Sequence, residues 1–274
     1  MLFALCMALA SPFPRESRLT MTDFIDKYSA TSTPVVVTDY QHAFDGVDER
    51  SLARECGDKL VSVARRTTKA VWAGIEWVRN GTLHEALRDP SKNGTSMGVF
   101  DWSLPRHCPE IMLHWVTPKY FAQNFVHRID PAKPVQYRDA WPSLFVGADG
   151  TYSDMHRDVF GSAFWQYVVR GAKEWHAIAS PEGLDMYNGS AMRHYHDVIR
   201  PGELLILPGN IWHQVRNHGN TVSYAGNFVT EGGLDEMRKE IEGKNFKYYN
   251  QVREILEPAF DTKVDRDAGD SHGH

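Results

Sequence analysis

From residue 96 to about residue 230 the chain breaks into short segments. They are "SMGVFDW", "SLFVGA", "GTYSDMHRD", "SAFWQYVV", "KEWHAIA", "ELLILP", "WHQVRN" and "VSYAGNFV". They are rich in β-branched or aromatic residues and bounded by Gly, Pro, Asn or Asp. Runs this short read as strands, and many short strands with frequent turns close into a sandwich or a small barrel.

The flanks have a different texture. "LTMTDFIDKYSA" predicts a short helix, with Thr20 and Asp23 at capping-box spacing. "PVVVTDY" and "KLVSVARR" predict strands, and "DERSLAREC" predicts a helix. "GIEWVRNGTLHEALRDP" has helical spacing broken at Asn80-Gly81 and stopped by Pro90. Beyond "TEGG", Leu234, Met237 and Ile241 form one helical stripe, and Phe246, Tyr249, Val252 and Leu256 form another. The expected division is an arm at 1–19, an α/β part at 20–95, a β core at 96–230, helices at 231–262 and a disordered tail at 263–274. The apolar stripes predict packing on the barrel or on a second copy, a homodimer through residues 233–260.

Eight Trp, eleven Tyr and thirteen Phe in 274 residues supply a large core. The net charge of −5 argues against a dedicated nucleic-acid surface. Cys6, Cys56 and Cys108 are few and far apart, with no CxxC pair. They predict neither a zinc knuckle nor a disulfide framework, and favour a reduced intracellular (cytoplasmic or nuclear) setting. The run "MLFALCMALA" reads as a hydrophobic arm, because no Lys or Arg precedes it; a signal segment over residues 1–10, hence a secretory route, is the alternative. The run is too short to span a bilayer, so no membrane association is expected. Three Asn-Gly-Ser/Thr sequons begin at Asn80, Asn93 and Asn188 and fit secretion or plain turns alike.

The chemistry centres on "GTYSDMHRDVFG", positions 150–161. On a strand, residues two apart share a face, so His156 and Asp158 project together and Arg157 points away. An imidazole and a carboxylate side by side are two facial metal ligands. One more His completes the two-His-one-carboxylate set suited to non-heme iron. His213, just past the Pro208-Gly209-Asn210 turn, is the candidate. Lys173 shares a face with Trp175. An ammonium directed into an aromatic interior needs an anionic partner, and a dicarboxylate supplies one. His194-Tyr195-His196-Asp197 also has ligand spacing but reads as a polar connection with solvated imidazoles. Asp101-Trp102 reads as core beside a turn.

His156-x-Asp158, Lys173 and "LPGNIWH" ending in His213 together resemble the Jumonji C (JmjC) family of Fe(II)- and 2-oxoglutarate-dependent oxygenases. The likeness is greatest to its small protein hydroxylases and to its arginine demethylase/lysyl hydroxylase branch, and it covers most of residues 20–228. It implies a mainly β fold with flanking helices, a double-stranded β-helix (jelly-roll, cupin-like barrel). It implies iron ligation by His156, Asp158 and His213. It also implies co-substrate contacts from Lys173, Ser153, Gln166 and Asn227. The implied reaction consumes O2 and 2-oxoglutarate, releases succinate and CO2, and most simply hydroxylates a side chain of a protein or peptide. Two positions depart from the pattern: Gly98 stands where relatives often carry Tyr, and Ala225 where they often carry a hydroxyl. A demethylase, an RNA-modifying member, a non-catalytic binding protein and a cupin enzyme with another metal are the alternatives.

Overall fold

The computed structural model describes residues 10–69, 71–91, 97–122, 124–128, 140–179, 192–230 and 233–242. Ten strands form one continuous sheet: β1 (Arg15–Glu16), β2 (Val35–Val37), β3 (Leu60–Arg66), β4 (Ile75–Thr82), β5 (Gly98–Ser103), β6 (Ser143–Gly147), β7 (Ala163–Ala179), β8 (Arg193–Ile199), β9 (Leu204–Leu207) and β10 (Trp212–Phe228). The hydrogen-bonded order is β1-β2-β9-β7-β10-β6-β5-β3-β4, with β8 attached to β7.

Two long strands turn this sheet into a jelly roll. β7 and β10 have 17 residues each, about three times a common strand length. The first half of β7 pairs with β9 and with the end of β10. Its second half pairs with β8 and with the start of β10. Both strands therefore pass from a large sheet into a small one. The bend falls at Gly171, whose φ of 71° favours glycine, and at register shifts between His218 and Ser223. A turn at Gly171 is the sequence expectation; hydrogen bonds continue on both sides of it, so the chain bends instead of reversing.

The core lies in two places. Inside the roll pack Phe13, Val36, Val168, Trp175, Leu205, Leu207 and Ile211. On the outer face of the large sheet, helices α1 (Glu49–Cys56) and α2 (Leu83–Arg88) bury Leu52, Leu83 and Leu87 against Val61 and Val146. Leu52 is fully buried, and removing such a side chain from water stabilises the fold by roughly 2 kcal/mol. Asp48 caps α1 by accepting from the Ser51 amide, and Thr82 with Glu85 forms a capping box on α2.

Several expectations are corrected. Residues 75–82 form a strand, because β3 pairs along their length, and the helix begins only at the Thr82 cap. Residues 193–199, expected as a loop, are β8. Residues 150–158 are not a regular strand; they touch β10 through single bridges at Tyr152–Arg216 and His156–His213. Cys56 and Cys108 form a disulfide, with Cα atoms 5.9 Å apart. The end of α1 and the turn after Leu104–His107 meet in space although 52 residues separate them in sequence. The cysteines therefore no longer argue for a reducing compartment.

Thr20 caps the first helical turn as expected, accepting from the Asp23 amide. Helix α3 (Leu234–Glu242) buries Met237 and Ile241 within the chain, so that stripe is spent on the chain's own core. The stripe at 246–256, the tail, and the sequons at Asn93 and Asn188 lie outside the described residues. Asn80 is exposed on β4. Among the described residues no helix is long and apolar enough to cross a membrane.

Candidate metal centre and co-substrate pocket

His156 and His213 face each other across a narrow antiparallel bridge. Each backbone amide donates to the other's carbonyl, at 2.9 and 2.8 Å. The bridge brings the two rings to 4.3 Å between centroids. Asp158 follows two residues after His156, with its Oδ1 3.9 Å from His213 Nε2. One ligand atom from each of His156, Asp158 and His213 lies within 4.8 Å of the others, so the three could hold one metal ion.

The tautomers fit that use. His156 Nδ1 contacts the Asp154 carbonyl at 2.6 Å, and His213 Nδ1 contacts the Ile211 carbonyl at 3.0 Å. A carbonyl accepts only, so each Nδ1 carries the proton and each Nε2 keeps its lone pair. Burial pushes both imidazoles down to about 4, so both are neutral at physiological pH. Burial also pushes the Asp158 carboxyl up to about 6, against the pull of His156 and a hydrogen bond from Asn227. Two neutral donors and a carboxylate short of positive charge suit a divalent cation. Arg157 points away from the ligands, as expected. It reaches Asn210 at 3.3 Å and lies over the Trp212 ring.

The three ligands open into a cavity of about 240 Å³. Lys173, Ser153, Gln166 and Asn227 all line it. Lys173 is 5% exposed, and burial pulls its ammonium down to about 7. Its Nζ donates to Asn217 Oδ1 at 2.9 Å. Ser153 Oγ accepts from the Val215 amide at 3.3 Å. Asn227 hydrogen-bonds Asp158 and donates to Ser162 Oγ at 3.0 Å, so it fixes the Asp158 side chain. Gln166 Oε1 and Trp175 Nε1 are buried with no hydrogen-bond partner among the described residues. A pocket with a buried ammonium and an unmatched indole N–H donor fits a small dianion, whereas Gln166 Oε1, an acceptor, asks for a donor such as water.

Sequence reasoning misses Asn217. It lies across β10 from Lys173 in register, and its side chain is buried. Its position beside His218-Gly219 reads as turn punctuation, and only the strand pairing reveals its role. Gly98 has φ 106°, and a Cβ there would overlap the Val146 carbonyl oxygen. That backbone position excludes the Tyr of the resembling family. Asp101 lines the cavity, while Trp102 is core and donates to the Leu60 carbonyl at 3.2 Å.

No protein-family profile matches the chain. Curated relatives are similar to it at low identity. The chain is 26% identical over 214 residues to a JmjC domain-containing histone demethylation protein 1 of Mycosarcoma maydis, covering 67% of this chain and 30% of that protein. It is 21% identical to the arginine-specific demethylase JMJ20 of Arabidopsis thaliana, covering 91% and 63%. It is 25% identical to the 2-oxoglutarate and iron-dependent oxygenase JMJD4 of Homo sapiens, covering 81% and 57%. The chain thus spans less than two thirds of these relatives' own length.

Proposed function

We propose, on the premise that this chain belongs to the JmjC family, that it is an Fe(II)- and 2-oxoglutarate-dependent dioxygenase that hydroxylates a protein side chain. The observation that carries this reading is the convergence of His156, Asp158 and His213 at one cavity with buried Lys173.

Bound iron supplies oxygen activation, with 2-oxoglutarate as the electron source that becomes succinate and CO2. The protein's own part is narrower. Nε2 of His156, Nε2 of His213 and the Asp158 carboxylate would hold the metal from one side and leave other positions open. Lys173 would bind the far carboxylate of 2-oxoglutarate with a charge-assisted hydrogen bond. Ser153, Gln166 and Trp175 offer polar atoms along the same wall. Asn227 fixes the Asp158 oxygens, and the Asp154 and Ile211 carbonyls fix the imidazole tautomers. Phe164 and Trp175 form apolar wall beside His213 and keep water from the reacting centre.

Purified protein with Fe(II) and 2-oxoglutarate should release succinate, slowly even without substrate. His156→Ala should abolish the release. Wild-type protein that neither binds nor turns over 2-oxoglutarate would sink this reading. Two of the relatives carry demethylase names, and formaldehyde release from a methylated peptide would mark that outcome of the same C–H chemistry.

A further inference from the structure

Among the described residues two further groups of side chains bring metal-binding atoms together. One is Cys56, Cys108 and Glu110, whose sulfurs are already joined as a disulfide. The other is Glu174, His176 and His196. It stands on the outer face of the small sheet, on the side of β7 opposite to Lys173 and Trp175. We propose that Glu174, His176 and His196 form a second divalent-metal site, suited by ligand type to Zn(II).

Strand register builds the group. His196 on β8 is directly opposite His176 on β7. Glu174 is two residues before His176, so it shares that face. His218 on β10 is the diagonal neighbour of Glu174, whose direct partner is Arg216. Three imidazoles therefore surround one carboxylate. Glu174 Oε1 lies 2.8 Å from His196 Nε2 and 3.6 Å from His176 Nε2. Glu174 Oε2 lies 2.8 Å from His218 Nε2.

These spacings match a small tetrahedral ion. Zinc bonds of about 2.0–2.1 Å place neighbouring ligand atoms about 3.3 Å apart. The two distances from Oε1 bracket that value. His176 and His196 also compete for the same oxygen, so hydrogen bonding alone leaves one nitrogen under-used. Their rings stack at 4.2 Å, only 8° from parallel. A shared ion therefore requires one ring to tilt out of the stack, and both side chains are partly exposed. Arg216, the nearest cation in register, turns to the Tyr152 ring, 4.9 Å from its centroid. The ligand set is two imidazoles and a carboxylate. His218 holds the outer carboxylate oxygen, and a fourth position is left to water. The ion would clip β8 to β7. Among the described residues β8 is the edge of the small sheet, with a single bridge beyond it to Ser11.

The test is zinc stoichiometry on metal-free full-length protein, by calorimetry and by competition with a chromogenic chelator. Wild-type protein is expected to bind two ions per chain. His156→Ala/His213→Ala removes the cavity site and should keep one. Adding Glu174→Gln/His196→Ala in that background should remove the other. It should also remove a zinc-dependent rise in Tm of roughly 5 °C. No zinc bound by His156→Ala/His213→Ala overturns the proposal without any variant of the cluster. Zinc retained when Glu174→Gln/His196→Ala is added to His156→Ala/His213→Ala places the ion elsewhere, as on the histidines of the tail, and overturns it too. Failure of the cavity to bind metal is read separately, from Glu174→Gln/His196→Ala made alone.

Discussion

Lys173 and Asn217 are 44 positions apart in sequence and 2.9 Å apart in space, both buried in the cavity wall. Asn217 Oδ1 also accepts from Thr221 Oγ1 at 3.0 Å, and its Nδ2 donates to Thr151 Oγ1 at 2.9 Å. The amide is a bracket that orients the ammonium. Asn217→Ala removes three hydrogen bonds and leaves Lys173 without its acceptor. Stability should fall by about 1–3 kcal/mol, and 2-oxoglutarate binding with Mn(II) in place of iron should weaken about tenfold. A denaturant melt and a titration check the two numbers. Unchanged binding in Asn217→Ala would show that the bracket does not position the lysine.

Replacing the lysine itself should separate binding from folding. A buried ammonium facing no anion costs free energy in the unliganded protein. Lys173→Met keeps the aliphatic length and removes the charge. Its Tm should equal or exceed the wild-type value, while affinity for 2-oxoglutarate should drop about 100-fold or more. A lower Tm with intact affinity would mean that Lys173 serves the fold and not the ligand.

The same burial predicts a pH signature. Lys173 titrates near 7 in the folded protein against an ordinary value of 10.5. Between those two values the unfolded chain carries more protons at this residue, so its contribution makes stability rise with pH across that window. A bound carboxylate reverses the preference and restores the ammonium. Binding of 2-oxoglutarate at pH 8 should therefore take up a proton and weaken as pH rises above about 7. Calorimetry in two buffers of different ionisation enthalpy measures the uptake directly. No difference between the buffers would count against a neutral resting lysine.

The candidate metal ligands are legible in the sequence, though by a route that differs from the one that brings them together. A two-residue spacing pairs His156 with Asp158, yet the segment that carries them is not a regular strand. The bridge to His213 does the aligning. Lys173 is legible because an ammonium sharing a face with Trp175 has few places to go. Asn217 is not, because its role depends on the register between β7 and β10. The cluster at Glu174 is hidden for the same reason. Its members lie on outward faces of strands, and His194-Tyr195-His196-Asp197 looks like a loop until β8 pairs with β7. The Asn80-Gly81 break marks the end of a strand, where helical spacing suggests a helix; pairing with β3 overrides the pattern.

The Cys56–Cys108 bond joins the end of α1 to the turn after Leu104–His107 and closes a long loop that contains β3, β4, α2 and β5. Such a cross-link restricts the unfolded chain by about 2–4 kcal/mol. Adding a reductant should lower the Tm of the wild-type protein. Cys56→Ser/Cys108→Ser should melt lower from the start and ignore the reductant. A reductant-insensitive wild type would mean that the bond does not form in solution.

Arg15 ties the N-terminal arm to β8 through Asp197 and to the connection between β8 and β9 through Glu203. Burial pushes the Asp197 carboxyl up, but hydrogen bonds from the Arg15 guanidinium and from the Val198 and Phe13 amides outweigh it and hold it low. A carboxylate lowered in the folded state contributes stability that is present above its unfolded value and lost as pH falls through its folded one. The window therefore lies below about pH 4. Arg15 is partly exposed, so solvent screening limits the contribution to about 1 kcal/mol. Asp197→Asn should lower stability by that amount at pH 7, and the difference from wild type should shrink toward zero on acidification to about pH 2. A difference that persists at pH 2 would assign the loss to packing of the side chain and not to its charge.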